Sequence, residues 1–429
     1  MNARKQPKPR QARAAAEPKL PLTRRFAAWL RCSWPAILIL ILTTGVFFYL
    51  FFTANQGRIF RNESSREEGQ RTVNGETVQV TVERAKVINL SKDTVNPDPM
   101  NPDGKEKGTQ RALIELRSGP HAGERFELDV MPGWYTDDKL ELGSLITIAV
   151  AENLDTGEIQ FDSSTYSHDR STGVYVVLGL FLLVVLLVGG RTGLKSLLGL
   201  VFTVVALIWI FCPLWMKGAE PVPLAFGLCV LVSVMSFTIL GGVSRKTICA
   251  VLGTVAGMGL AALFSFLAQR ICKIDSYALY DAGRDFVDLA NLQQRGYDLH
   301  LQGLLSAGII IASLGAVMDV AMSLSSAVSE LKTVNQSLGF AGLWRSGMRI
   351  GRDMVGTMTN TLILAFVGSS LVLVLRLWSQ GPSYIRLISS RYLSVELISA
   401  LSSSIGVILA VPLTALIGAA FFGKAKSRQ

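Results

Sequence analysis

Residues 173–216 read GVYVVLGLFLLVVLLV GGRTGLKS LLGLVFTVVALIWIFCPLWM, two apolar runs of sixteen and twenty residues on either side of an eight-residue polar turn. A helix rises about 1.5 Å per residue and bilayer hydrocarbon is about 30 Å thick, so runs near 20 residues suit a membrane crossing. The turn, Gly189 to Ser196, has the outline of a phosphate-binding loop, but Leu194 separates glycine from lysine and apolar helices flank both sides. It reads as a basic interhelical connection, and the chain carries no energy-coupling ATPase domain.

Working outward, the same pattern recurs at Trp34 to Phe52, Val222 to Gly242, Thr247 to Leu267, Leu304 to Leu324, Met354 to Leu377 and Leu397 to Phe422. Half of the 429 residues are apolar, 17% are charged and the mean hydropathy is +0.39. The expected fold is an α-helical polytopic membrane protein with about eight transmembrane helices and a small extracytoplasmic all-β domain. The expected organisation is a disordered basic cytosolic tail (1–33), a transmembrane signal anchor (34–52), the β domain (53–171), a seven-helix membrane domain (172–424) and a cytosolic tail (425–429). The first run is expected to be retained as an anchor, because Phe52 to Ala54 offers no small-x-small cleavage site. Cys32 precedes that run, whereas a lipoprotein cysteine follows one.

The net charge of +10 would suggest nucleic acid in a soluble protein, but its distribution excludes that partner. Residues 1–33 hold nine Lys or Arg against the single acid Glu17. Arg191 and Lys195, Arg245 and Lys246, then Lys332, Arg345, Arg349 and Arg352 fall on alternate connections, as do Lys424, Lys426 and Arg428 at the end. The positive-inside rule therefore predicts a multi-pass cell-membrane protein with both termini cytosolic and 53–171 outside. The connection holding Arg376, Arg386 and Arg391 runs against the rule and softens the count near the last two spans.

Within 53–171, period-two alternation marks strands at Thr77 to Ile88, with Val78, Val80 and Val82 on one face, and around Ala112, Ile114 and Leu116. Further strands fit Arg125 to Val130, Leu145 to Val150 and Glu158 to Phe161, and Asn96 to Gly108 reads as a loop with Asn-Pro-Asp turns. Five short strands must cover their edges, so a small barrel of the OB or SH3-like kind is expected. Ser118 to Gly123 reads as a hairpin turn rather than a ligand loop. The three histidines, His121, His168 and His300, show no metal-ligand spacing, and no catalytic motif is present; no enzyme, metal or cofactor is expected. The five cysteines all lie outside the β domain and read as packing residues rather than a disulfide framework, although Cys212 and Cys272 lie near outer helix ends.

Polar groups inside hydrocarbon are the informative ones, at about 3 kcal/mol for a charge at mid-helix. Gly308, Ala312, Gly315, Asp319 and Ser323 form a stripe of small residues turning polar on the sixth span. The seventh opens on Gly351, Arg352 and Asp353 and places Thr357, Asn360 and Thr361 on the Asp353 face, with Asp319 and Asn360 at one depth. Two readings stand side by side: a cation or proton site with Asp319 as carboxylate and Thr357, Asn360 and Thr361 as neutral oxygens, or a structural pairing of Asp319 with Asn360, Arg349 or Arg352. Gly253-x-x-x-Gly257 on the fifth span reads as a packing motif. Ser276 to Leu292 and Tyr384 to Ser394 read as interfacial helices, the aspartates Asp281, Asp285 and Asp288 forming a solvated face.

The stretches Gly315 to Ser323 (GAVMDVAMS) and Gly351 to Thr361 (GRDMVGTMTNT), continuing to Gly368-Ser-Ser370, resemble the YibE/F-like family of bacterial membrane proteins. The resemblance runs over roughly 172–424 and implies a multi-pass bacterial membrane protein, with no activity or ligand residues to carry over. The function expected from the residues is a secondary transporter or permease for a small ion or solute, sited between the sixth and seventh spans. The alternative is a non-transporting scaffold or sensor whose β domain binds an extracytoplasmic partner, and a membrane-embedded enzyme comes third.

Overall fold

In the computed structural model the stretch from Ser171 to Met216 is helical throughout, except that Gly190 takes φ 52° and ψ −132°. The structure describes residues 22–55, 69–73, 76–94, 96–97, 106–130, 139–153, 156, 159–161, 166–274, 300–381 and 383–423. The basic tail to residue 21, the segment 276–292 and residues 424–429 lie outside them. The chain divides into two compact units: Gln56–Leu194, and Met1–Asn55 together with Lys195–Gln429.

The first unit is an antiparallel sheet of β1 (Gly69–Val73), β2 (Glu76–Asp93), β5 (Gln110–Leu116), β6 (Arg125–Val130), β7 (Leu145–Asn153), β8 (Ile159–Phe161) and β9 (Ser167–His168). The order is β6-β5-β2-β7-β8, with β1 on β2 and β9 on β7. The long β2 serves two neighbours, pairing Val78–Lys86 with β7 and Ala85–Asp93 with β5, where register shifts at Val87/Asn89 and Leu90/Lys92 bend it. That sharing is how a small sheet curls, but among the described residues β6 and β8 are not paired, so barrel closure is not seen. The strands number seven here rather than five, and the expected loop at 96–108 contains a second small pair, β3 (Asn96–Pro97) on β4 (Glu106–Lys107).

The buried face differs from the one the valines suggest. Ala85, Val87, Ile114, Leu116, Ile146 and Ile148 form the core, so β2 turns its odd-numbered residues inward from Glu83 onward. Val80 is buried on the opposite parity and Val82 is half-buried, in the part of β2 that β1 also flanks. The first helical stretch after the sheet, α2 (Ser171–Ala206), starts in this unit.

The second unit is helical. It comprises α1 (Leu22–Asn55), the end of α2 with a π turn at Leu207–Phe211 and α3 (Cys212–Met216), then α4 (Pro221–Gly241), α5 (Arg245–Ile271), α6 (Leu304–Val334), α7 (Phe340–Ser369), α8 (Leu371–Ser379), α9 (Tyr384–Ile388) and α10 (Arg391–Gly423). Among the described residues six stretches are long and apolar enough to cross a membrane, or seven if α7 and α8, bent by 58° at Ser370, count as one. With the bent pair taken as one span, the difference from eight is that 171–216 counts as one 46-residue stretch despite its break at Gly190. It is not one straight rod: the backbone leaves the helical region at Gly190, and a Cβ at Gly193 would lie directly against Val185 O, eight residues earlier.

Packing centres on α5, α6 and α10. A Cβ at Gly257 would stand 2.8 Å from Ala410 Cβ and Val317 Cγ1, and one at Gly406 would stand 2.7 Å from Ala261 Cβ, while Gly253 lies directly against Thr414. The motif Gly253-x-x-x-Gly257 therefore packs, as expected. Cys229 and Cys249 are buried in the bundle, whereas Cys212 and Cys272 are exposed and, among the described residues, form no disulfide.

Candidate functional site

On α6, Leu314, Val317, Val320, Ala321 and Leu324 are buried, because these bulky positions turn toward the bundle. Gly308, Ala312, Gly315, Asp319 and Ser323 occupy the opposite, exposed face. A Cβ added at Gly308 or Gly315 would meet nothing within 4 Å. The stripe expected to seat a neighbouring helix is thus open. Asp319 makes no hydrogen bond or ion pair with any described residue, an unusual position for a carboxylate midway along an apolar helix.

The N-terminal half of α7 is held firmly: Leu343, Gly347 and Gly351 are its buried residues, with Gly347 against Val328 and Ala415 and Gly351 against Val411 and Leu324. Those contacts set an antiparallel register between α6 and α7. Past Gly351 the contacts that fix this register end, and a Cβ added at Gly315 or Gly356 would meet nothing within 4 Å. Beyond Gly351 none of α7 is fully buried, and Asp353, Thr357, Asn360 and Thr361 are exposed.

The two threonine hydroxyls donate to their own helix, Thr357 Oγ1 to Met354 O at 3.1 Å and Thr361 Oγ1 to Thr357 O at 2.9 Å. Each oxygen keeps lone pairs free to accept or to ligate. Arg349 and Arg352 are exposed, and neither is ion-paired with Asp319 or Asp353. Among the described residues the arrangement contains neither the pairing of Asp319 with Asn360 nor the one with arginine. What remains is a carboxylate on the exposed face of α6 and a set of neutral oxygens on the exposed half of α7.

Two polar features went unnoticed in the sequence. In the bundle, Gln269 Nε2 donates to Ser306 Oγ at 2.8 Å and to Ser265 Oγ at 2.9 Å. Buried serines Ser402, Ser403 and Ser404 of α10 have hydroxyls without a hydrogen-bond partner. Their signal was the run of three serines in an apolar helix.

The other feature is in the sheet. Glu83, only 2% exposed, has its Oε1 accepting from Thr81 Oγ1 at 3.1 Å while Oε2 has no partner. Its carboxylate lies beneath Gly119, which has φ +81° and no room for a Cβ. His121 on the same turn faces Glu152 through Nε2 at 3.4 Å and Glu124 through Nδ1 at 3.5 Å. Burial pushes the Glu83 carboxyl above 4.5, the hydrogen bond from Thr81 and the His121 charge only partly opposing it. Burial pulls the other way on His121, but its bonds to Glu152 and Glu124 prevail and raise it above 6.5.

Both groups hold protons more tightly folded than unfolded, so both stabilise the sheet at acid pH. The Glu83 contribution is complete below about 4.5 and that of His121 below about 6.5, and each fades as pH rises through the folded value. Asp169, lowered below 3.8 by its hydrogen bonds to Ser171, acts only beneath this window. The sheet of the full-length protein should therefore resist proteolysis and heat better at pH 5 than at pH 8. Glu83→Gln should flatten that dependence, and an unchanged slope would remove Glu83 as its source.

A family model described as YibE/F-like protein matches residues 177–424. No curated protein matches the chain, and no solved structure does.

Proposed function

The chain belongs to the YibE/F-like family, matched over more than half its length, and from that premise we propose a multi-pass cell-membrane protein of the secondary-transporter or permease class, moving a small ion or solute past Asp319. The observation that carries this reading is Asp319 itself, without a hydrogen-bond or ion-pair partner among the described residues and flanked on its own face by Gly308 and Gly315, beside which an added Cβ would meet nothing within 4 Å. An unpaired carboxylate facing lipid is too costly to persist, so water or cargo should occupy that face. Thr357, Asn360 and Thr361 supply neutral oxygens, Ser323 and Asp353 extend the polar path toward the cytosol, and Arg349 and Arg352 frame its mouth. The bend at Ser370 agrees with this class, in which interrupted helices free backbone groups near a substrate.

In this reading the stretch 171–216 turns at Gly190 and crosses twice, and α7 with α8 crosses once. That gives eight crossings, both termini in the cytosol and the sheet outside, in keeping with Arg191 and Lys195 at the turn. Cysteine accessibility tests the water-lined stripe. In a chain with Cys212 and Cys272 replaced by serine, Gly315→Cys should react with a membrane-impermeant thiol reagent far faster than Leu364→Cys, an exposed apolar position of α7. Equal, slow labelling at both positions would place the stripe in lipid or in protein and remove the route.

The second reading, a scaffold or sensor whose sheet receives an extracytoplasmic partner, is favoured by the buried Glu83 beneath the Gly119 turn. Deleting 60–165 would then destroy function while Asp319→Asn stayed silent, the reverse of the transport expectation.

A further inference from the structure

The helical unit carries a cavity of about 680 Å³ between α1, the Lys195–Ala206 part of α2, and α4. Phe47, Leu198, Phe202 and Met235 give it apolar walls, Thr238 lies at its rim, and Lys195 is its one charged lining residue. Lys195 is exposed and has neither an ion pair nor a hydrogen bond to a described residue.

The groove has a direction. Leu40, Lys195 and Ile239 mark one end, while Phe47 and Val205 mark the other, as α1 and this part of α2 run away from the charge together. Lys195 to Val205 is ten residues, about 15 Å of helix, which is half the hydrocarbon thickness and hence the depth of one leaflet. A slot one leaflet deep, apolar along its length and cationic at the headgroup end, has the shape and charge of a single lipid tail with an anionic head. No acidic residue lines it to repel a phosphate.

We propose that this groove binds one anionic phospholipid of the surrounding bilayer, its phosphate on Lys195 and one acyl chain along Leu198, Phe202 and Phe47. Binding rests on the multi-pass reading above but not on transport, and the bound lipid cements α1 to the bundle. Arg245 and Lys246 raise the local potential that draws anionic headgroups.

The test is native mass spectrometry of the full chain released from micelles containing equal phosphatidylglycerol and phosphatidylcholine. Wild type should retain phosphatidylglycerol preferentially, Lys195→Gln should weaken that preference about fivefold, and Lys195→Arg should keep it. Leu198→Trp, which fills the groove, should lower retention of both lipids, whereas Arg345→Gln elsewhere on the cationic side should change neither. Unaltered preference in Lys195→Gln, or unaltered retention in Leu198→Trp, overturns the proposal. So does equal competition by soluble glycerol phosphate, which would make this a site for free phosphate rather than lipid. Alkaline extraction separates the two levels: a chain that washes off the membrane defeats the multi-pass reading itself, while an embedded chain without lipid preference defeats only this site.

Discussion

Asp319→Asn is expected to abolish flux through reconstituted vesicles while leaving the melting temperature in detergent unchanged or slightly higher. The two halves of that outcome come from one fact. Asp319 makes no hydrogen bond or ion pair with a described residue, so the fold draws no stability from its charge, and an amide is cheaper to hold at that depth. A cation held by the carboxylate loses its only formal counter-charge, a change worth at least about 3 kcal/mol, or roughly a 150-fold loss of occupancy. A structural carboxylate would behave in the opposite way, with stability falling and flux intact. Normal flux in Asp319→Asn vesicles would take this residue out of any transport mechanism.

The second large effect is on the bundle itself. Gly257→Leu should lower stability by about 3 kcal/mol or more and reduce the yield of folded protein, because even a first carbon there stands 2.8 Å from both Ala410 and Val317. Three helices, α5, α6 and α10, meet at that point, so relief on one side tightens another. Gly227→Leu on α4, with nothing within 4 Å, is the matched control and should cost little. Alanine makes the contrast sharper. In an open helix position Gly→Ala gains up to about 1 kcal/mol, so Gly227→Ala should stabilise and Gly257→Ala should destabilise. Melting curves of the four variants decide it, and like behaviour at both positions would remove close packing as the reason for the glycine.

Much of the helical unit was legible because its elements are specified locally. A run of twenty apolar residues needs no tertiary context to be read, and Gly253-x-x-x-Gly257 announces close approach by its spacing. The sheet was harder. β1 and β9 are short and polar, and their pairing with β2 and β7 depends on partners distant in sequence. Val78, Val80 and Val82 gave a clean alternation, yet the core takes Ala85 and Val87, since burial on a strand flanked on both sides is decided by what covers each face. Glu83 escaped notice for the same reason: a glutamate between Val82 and Arg84 reads as solvent-facing until Gly119 is seen lying over it.

At the candidate site, the sequence could name Asp319 and the small-residue stripe but not their surroundings. Small residues ordinarily seat a neighbouring helix, and only the folded arrangement reveals that Gly308 and Gly315 face open space. Nor could spacing foretell that the Thr357 and Thr361 hydroxyls would turn back on their own backbone.

Gly190 has a consequence for how the protein is made. A ribosome feeding residues 171–216 into a translocation channel delivers two apolar runs parted only by the short basic turn Gly189 to Ser196, with no acidic residue anywhere in it. The backbone at φ 52° and ψ −132° is open to glycine and strained for any residue with a side chain, and Arg191 follows at once. On the two-crossing reading, that one residue fixes the hairpin during synthesis. A side chain there would favour a straight helix threaded once, and every later segment, Asp319 included, would be delivered upside down.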